Sequence, residues 1–142
     1  MSTRKRDKCT TPVNQRCILV VDDEPLNMKL FAVTLNRRGY RVLLAADGYH
    51  GFVLAHDGHP DLIIMDVKLP TLSGLEVTRT LKENIHTKDI PVVIATAFLI
   101  DEETLRESMC DAYIPKPFAM TDFIDLIDSL IERNAPHVGT PS

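Results

Sequence analysis

The sequence contains no tryptophan, only three cysteines and no long uninterrupted hydrophobic run. A membrane-spanning helix needs about 20 consecutive, mainly apolar residues, and a secretory signal needs an apolar segment near the N-terminus. The chain has neither, so we expect a cytoplasmic protein. Its 142 residues, of which 44% are hydrophobic and 25% charged, are enough for one domain with its own core.

The cysteines and histidines do not follow a metal-binding or disulfide pattern. Cys9, Cys17 and Cys110 are odd in number and include no C-x-x-C spacing. Cys17 opens an apolar run and Cys110 ends a helical one, so we expect structural thiols rather than metal ligands or disulfides. The five histidines are scattered along the chain, which argues against a histidine metal site or a histidine-based nucleophilic triad.

The charge is distributed unevenly. The whole chain carries −4, but residues 1–16 hold five basic side chains and one acid, a local +4 that leaves −8 for the rest. An acidic body argues against direct nucleic-acid binding, which requires a basic face. We expect residues 1–15 to be a disordered basic tail, with contact to an anionic partner as the alternative, and residues 134–142 to be a flexible tail.

Short apolar runs alternate with amphipathic helical segments over residues 16–133. The runs lie at 17–21, 40–46, 62–65, 91–95 and 112–114, and a helical pattern follows each of them. Unbroken apolar runs are typical of strands that are covered on both faces, as in a parallel sheet. The pattern predicts an α/β domain with a flavodoxin-like, doubly wound, five-stranded parallel sheet in the order 2-1-3-4-5 and five helices.

Carboxylates follow two of these predicted strands. Asp66 comes directly after the third run, before Pro70, which prevents the strand from continuing, and Asp22 and Asp23 follow the first run. Asp66 alone could simply cap a turn. The predicted order makes strands 1 and 3 neighbours, however, so all three acids should meet at one sheet edge, where a divalent cation such as Mg²⁺ together with a phosphate would relieve their repulsion.

Two hydrogen-bond donors are expected at the same edge. Thr96 ends the fourth predicted strand and Lys116 follows the fifth. Lys116 could be a simple counter-charge to the acids, or it could pair with a phosphoryl oxygen while the Thr96 hydroxyl donates to another. Because carboxylates form covalent phosphoryl intermediates in proteins, Asp66 is also a candidate nucleophile.

Four motifs together resemble the receiver domain of bacterial two-component response regulators. They are Val-Asp-Asp-Glu at 21–24, Met-Asp-Val-Lys-Leu-Pro-Thr-Leu-Ser-Gly at 65–74, Ala-Thr-Ala at 95–97 and Tyr-Ile-Pro-Lys-Pro at 113–117. The resemblance covers residues 16–133. The runs at 26–31, 73–78 and 97–98 further resemble DivK-type single-domain regulators of cell-cycle and polarity signalling.

The resemblance implies a role for each motif residue. Asp66 would accept a phosphoryl group from a histidine kinase or a histidine phosphotransfer protein. Asp23, Asp66 and the backbone carbonyl of Lys68 would hold Mg²⁺, with Asp22 acting through water. Lys116 would pair with the phosphoryl group. The protein would be a phosphoacceptor rather than an enzyme.

The resemblance also implies a switch. Thr96 would move toward the phosphoryl group and Tyr113 would turn inward. These movements would alter the face formed by the fourth helix, the fifth strand and the fifth helix. The altered face would control the binding of a downstream protein partner or the relay of phosphate. The Lys116–Pro117 bond would be cis. Only nine residues follow Arg133, so we expect a stand-alone receiver.

The chain departs from the family pattern at three places. The interval from Thr96 to Lys116 is about two residues shorter than is usual, and Met109 occupies a position where many relatives have glycine. We therefore expect a short or irregular fourth helix. Lys68, two residues after Asp66, cannot accept a hydrogen bond from an attacking water, and Phe98 adds bulk nearby, so self-dephosphorylation should be slow.

Two alternatives remain open at this point. A Mg²⁺-dependent phosphohydrolase would also use an aspartate nucleophile on a parallel sheet, but it usually has a second acid where this chain has Lys68. A pseudo-receiver would bind partners without phosphate, although the full set of acids argues against it.

Overall fold

The computed structural model describes residues 15–134. The strands are β1 (Cys17–Val21), β2 (Arg41–Ala45), β3 (Leu62–Met65), β4 (Val92–Thr96) and β5 (Ala112–Pro115). The helices are α1 (Pro25–Arg37), α2 (Gly48–Gly58), α3 (Gly74–Lys82), α4 (Glu102–Ser108) and α5 (Met120–Asn134). The expected tails, at residues 1–14 and 135–142, lie outside the described residues.

The five strands form one parallel sheet in the order β2-β1-β3-β4-β5, which confirms the predicted topology. Strands β1, β3 and β4 are buried at every position, as their unbroken apolar sequences predict. Alternate residues of the strands supply two cores, one against α1 and α5 and the other against α2 and α3. No helix within residues 15–134 is long and apolar enough to cross a membrane.

Two aspartates align the starts of neighbouring strands. Asp61 precedes β3, and its carboxylate accepts the amide N–H of Cys17 in β1 at 2.8 Å. Asp111 precedes β5, and its carboxylate accepts the amide N–H of Val92 in β4 at 2.7 Å. The Lys82 ammonium, which is nearly buried, lies 2.6 Å from Asp111 and 2.8 Å from the Ile90 carbonyl. These contacts set the strand register at the edge of the sheet where the strands begin.

Polar caps define where the helices begin. Asp47 accepts the His50 amide N–H at the start of α2, and Ser73 forms a capping box with Glu76 at the start of α3. Asp101 caps α4 by accepting the Thr104 amide N–H. Hydrogen bonding by the Thr104 side chain, and then by its amide, lowers the pKa of this exposed carboxyl.

Helix α4 is short, as the reduced interval before Lys116 predicted. It has only seven residues, and it ends at Met109 in a left-handed conformation with φ 65°. A glycine would adopt this conformation without steric cost, whereas a methionine does not. Met109 therefore ends the helix where the family pattern has glycine.

The expectation for the cysteines is correct at one position and wrong at another. Cys110 is a free thiol. Cys17, expected as a structural thiol, is disulfide-bonded. Its apolar neighbours indicated burial, which is complete, but burial of a strand residue carries no information about its redox state.

A cluster around Asp128 ties α5 to the end of α1 and the start of β2. The Arg38 guanidinium donates to one carboxylate oxygen of Asp128 through two nitrogens, at 2.6 and 3.2 Å, and the Tyr40 hydroxyl donates to the other oxygen. Burial raises the pKa of Tyr40 above its usual value of 10.0, and the hydrogen bond to Asp128 raises it further.

This raised pKa predicts a loss of stability at alkaline pH. Above about pH 10 the unfolded chain loses the Tyr40 proton while the folded chain keeps it, so the stabilisation is complete below pH 10 and declines above it. We expect the free energy of unfolding, measured by urea titration between about pH 9 and 11.5, to fall less steeply for Tyr40→Phe than for wild type. Tyr49→Phe, at a largely exposed tyrosine, is the matched control. Parallel pH profiles for wild type and Tyr40→Phe would contradict the assignment.

Candidate functional site

The ends of β1 and β3 bring two aspartates together. Val21 pairs with Met65 in the register of these strands, and the amide N–H of Asp66 donates to the Val21 carbonyl at 3.0 Å. Asp22 and Asp66 are the next residues on the two strands. Asp22 is 2% exposed and the Asp66 side chain 13% exposed, so both carboxylates lie in a largely dehydrated part of the sheet edge.

Lys116, which follows β5, links these two carboxylates. Its Nζ lies 3.2 Å from Asp22 Oδ2 and 3.2 Å from Asp66 Oδ2. The Lys116 amide N–H donates to the Thr96 carbonyl at 2.8 Å, which holds the lysine backbone against the end of β4. The Lys116–Pro117 bond is cis, as expected from the family resemblance. The ammonium relieves the repulsion between the two acids.

Backbone N–H groups orient the remaining carboxylate oxygens. Asp66 Oδ1 accepts the amide N–H of Val67 at 2.7 Å and, at 3.4 Å, that of Lys68. Asp22 Oδ1 accepts the amide N–H of Glu24 at 2.9 Å. Both oxygens of Asp22 therefore have partners within the protein.

The loop after Asp66 folds back onto the main chain of that residue, and Gly74 makes this possible. The Gly74 amide N–H donates to the Val67 carbonyl at 2.8 Å. A Cβ atom on Gly74 would lie 1.8 Å from the backbone carbonyl oxygen of Asp66, far inside contact distance. Any other residue at position 74 would displace the backbone that carries the Asp66 carboxylate.

The predicted site residues surround a cavity of about 250 Å³ at this edge of the sheet. Asp23, Asp66, Lys68, Thr96 and Lys116 all line it, whereas Asp22 does not. The remaining lining residues are Glu24, Asn27, Ala97 and Phe98. The cavity therefore combines carboxylates, an ammonium and a hydroxyl within one opening at the surface.

Two expected switch residues contact the loop after β4. The buried Thr96 hydroxyl accepts the amide N–H of Phe98 at 3.3 Å. Tyr113 lies outside the cavity, and its hydroxyl donates to the Phe98 carbonyl at 3.1 Å. Both polar groups of the Phe98 backbone are thus engaged by the two side chains that the family resemblance assigns to the switch.

Glu24 and Asn27 also line the cavity, although neither was predicted as a site residue. A signal for them was present, because a helix that begins directly after Asp23 must place its first turn at the same sheet edge. No chemical motif distinguishes these two residues from ordinary polar residues of a helix surface.

The donor atoms at this site are of the kind that Mg²⁺ prefers. Asp23 is exposed and Asp66 half-buried, and both line the cavity together with Lys68. Among residues 15–134, no three His, Cys, Asp or Glu side chains lie close enough to enclose a metal ion. Mg²⁺ usually keeps several waters and takes one or two carboxylates from the protein, so the residues fit this ion with Asp22 in an indirect role.

Comparison with known proteins agrees with the geometry. The family pattern described as response regulator receiver domain matches residues 18–128. The polar-differentiation response regulator DivK of Brucella ovis is 42% identical over 118 residues, which cover 82% of this chain and 96% of that protein.

Solved structures agree as well. A receiver domain of a sensor histidine kinase from Pseudomonas aeruginosa, which has magnesium coordinated in its active-site cleft, matches with a TM-score of 0.77 and 29% identity, covering 83% of this chain and 98% of that one. The response regulator TrrA from Thermotoga maritima, in complex with Mg²⁺ and BeF, matches with a TM-score of 0.74 and 30% identity over 81% and 98% of the two chains. The chain therefore belongs to the response regulator receiver domain family of two-component signalling.

Proposed function

We propose that this protein receives a phosphoryl group on Asp66 from a phosphohistidine and changes its surface in response. The observation that carries the proposal is the position of the Lys116 ammonium, 3.2 Å from Asp66 Oδ2 at a cavity that Thr96 and Asp23 also line. The transferred group is strongly negative, and this arrangement surrounds its acceptor with one cation, one hydroxyl and an exposed carboxylate suited to a metal ion.

The transfer of the phosphoryl group requires only one covalent step from the protein, at Asp66. A carboxylate oxygen of Asp66 forms a bond to phosphorus while the bond from phosphorus to the donor imidazole nitrogen breaks, and the electron pair leaves with that nitrogen. Lys116 pairs with the phosphoryl oxygens and Thr96 donates to one of them. Asp23, Asp66 and the Lys68 carbonyl would hold Mg²⁺, which would supply charge neutralisation.

The phosphohydrolase and pseudo-receiver alternatives are less well supported. The second acid that a phosphohydrolase usually has is absent, because Lys68 lines the cavity at that position. A pseudo-receiver would bind partners without phosphate, and the complete set of Asp23, Asp66, Thr96 and Lys116 around one cavity argues against it. The similarity to DivK supports a role in cell-cycle or polarity control, as a switch or a relay.

The proposed switch runs through the loop after β4. When the Thr96 hydroxyl donates to a phosphoryl oxygen, it moves away from the Phe98 amide. Tyr113 then turns inward and releases the Phe98 carbonyl, so that the loop rearranges. The face formed by α4, β5 and α5 changes when this loop rearranges. A downstream protein partner binds the changed face with a different affinity.

The donor protein docks on α1, in our proposal. Leu26, Leu30 and Val33 lie one helical turn apart along α1 and are exposed, by 75%, 53% and 42%. Leu30 also lines an apolar cavity of about 410 Å³ that continues past Lys116. An amphipathic helix that carries the donor histidine would cover this stripe and bring its imidazole to Asp66.

Replacement of Asp66 tests the phosphoacceptor. Asp66→Asn and Asp66→Ala remove the nucleophile, so we expect labelling from a radioactive phosphohistidine donor to fall to background. Asp57→Asn, at an exposed aspartate on α2, is the matched control and should keep wild-type labelling. Persistent labelling of both Asp66 variants would exclude Asp66 as the acceptor.

Replacement of Lys68 tests the lifetime of the signal. The Lys68 ammonium cannot accept a hydrogen bond from an attacking water, whereas an asparagine carbonyl can. We expect Lys68→Asn to accelerate hydrolysis of the aspartyl phosphate by about 2- to 10-fold, the equivalent of one hydrogen bond. Loss of acid-labile phosphate over time measures this rate, with Lys88→Asn on a distant loop as the control. An unchanged or slower rate in Lys68→Asn would refute the assignment.

A charged residue on α1 tests the docking surface. Leu30→Glu should reduce labelling by a phosphohistidine protein about 10-fold or more, because it buries a charge in the proposed contact. Labelling by acetyl phosphate, which needs no protein contact, should stay near the wild-type rate. Ile85→Glu, at an isoleucine that is 75% exposed in the loop after α3, is the matched control. Equal effects of Leu30→Glu on both donors would contradict docking on α1.

A further inference from the structure

A buried aromatic ring lies beneath the ammonium of Lys116. Phe31, on the inner face of α1, is 4% exposed, and Lys116 Nζ lies over its ring at 6.0 Å from the centroid. This distance is at the outer limit at which a ring face attracts a cation. The Lys116 side chain is only 18% exposed, so water screens the attraction less than it would at an open surface.

Two further rings hold Phe31 in place. The Phe31 ring is 5.1 Å from the ring of Phe123 in α5 and 6.3 Å from that of Phe118. Phe118 in turn stacks on Phe123 at 4.9 Å. Phe118 is two residues after Lys116, and both residues line the same cavity as Phe31. The ring beneath the ammonium is therefore a fixed surface.

The fixed Phe31 ring limits the positions that the flexible Lys116 side chain can occupy. The ammonium of a lysine ends four methylene groups with several rotatable bonds, and its placement costs conformational entropy. The carboxylates of Asp22 and Asp66 attract it from the sheet edge, and the Phe31 ring attracts it from below. Together they restrict the ammonium to the position beside Asp66 where the phosphoryl group would arrive.

We propose that Phe31 is a positioning residue for Lys116, and that the electron-rich face of its ring speeds phosphorylation of Asp66 by holding the ammonium in place. This inference rests on the proposed function. In transfer from acetyl phosphate, an Asp66 oxygen bonds to phosphorus as the bond from phosphorus to the acetate oxygen breaks, and acetate leaves with the electron pair. A preplaced ammonium stabilises the charge on the transferred group without reorganising during this step.

Stepwise fluorination of Phe31 tests the role of the ring face. Fluorine withdraws electron density from the ring and changes its shape little, so mono-, di- and trifluorophenylalanine at position 31 should slow phosphorylation progressively. We expect a total decrease of about 2- to 5-fold at saturating acetyl phosphate and Mg²⁺. The same series at Phe52, a partly buried ring of the core on the other face of the sheet, is the matched control and should leave the rate unchanged.

A spectroscopic signature separates positioning from a general loss of structure. Protons on the Lys116 Cε atom above the ring should show an upfield NMR shift that disappears in Phe31→Leu, while the Mg²⁺ affinity stays within about 2-fold of wild type. A rate that does not respond to fluorination at position 31, or that responds equally at position 52, would overturn the inference. Absence of any phosphorylation in the unmodified protein would instead overturn the proposed function.

Discussion

The site depends on one lysine that neutralises two acids carried by different strands. Lys116 follows β5, and it reaches Asp22 after β1 and Asp66 after β3 at equal distances of 3.2 Å. Two largely buried carboxylates without this cation would repel each other and would also lack solvation. The ion pairs therefore require a strand register in which β1, β3 and β5 end at the same level along the strand direction. Strand register is in this sense a property of the functional site.

Contacts at the opposite edge of the sheet meet this requirement. Asp61 and Asp111 each bind the first amide N–H of a neighbouring strand, and Lys82 is paired with Asp111. A slip of one residue between parallel strands would turn every side chain to the other face of the sheet. Asp61 links β1 to β3 and so fixes Asp22 relative to Asp66, while Asp111 links β4 to β5 and so fixes Lys116 relative to Thr96. Residues far from the cavity thus control its geometry.

Sequence reasoning found the strand-end residues because their signals are local. An apolar run followed by an acid, or by a lysine and a proline, marks Asp66 and Lys116 as residues at strand ends. The predicted strand order then brings them to one edge of the sheet. The order of strands also followed from alternation and crossover rules. The same reasoning missed the pairing of Asp111 with Lys82 and the ring of Phe31 beneath Lys116. Each of these joins segments that are distant in sequence, and each residue alone resembles ordinary surface or core.

Asp22 and Asp23, which follow β1, have different roles because the backbone points their side chains in different directions. Successive side chains of an extended chain point in opposite directions. Asp22 is consequently buried, with one oxygen bound to the Glu24 amide and the other to Lys116. Asp23 is exposed and lines the cavity. A direct metal contact by Asp22 would have to displace one of its partners, whereas Asp23 meets no such cost. The first acid therefore holds the lysine, and the second is the one suited to a cation.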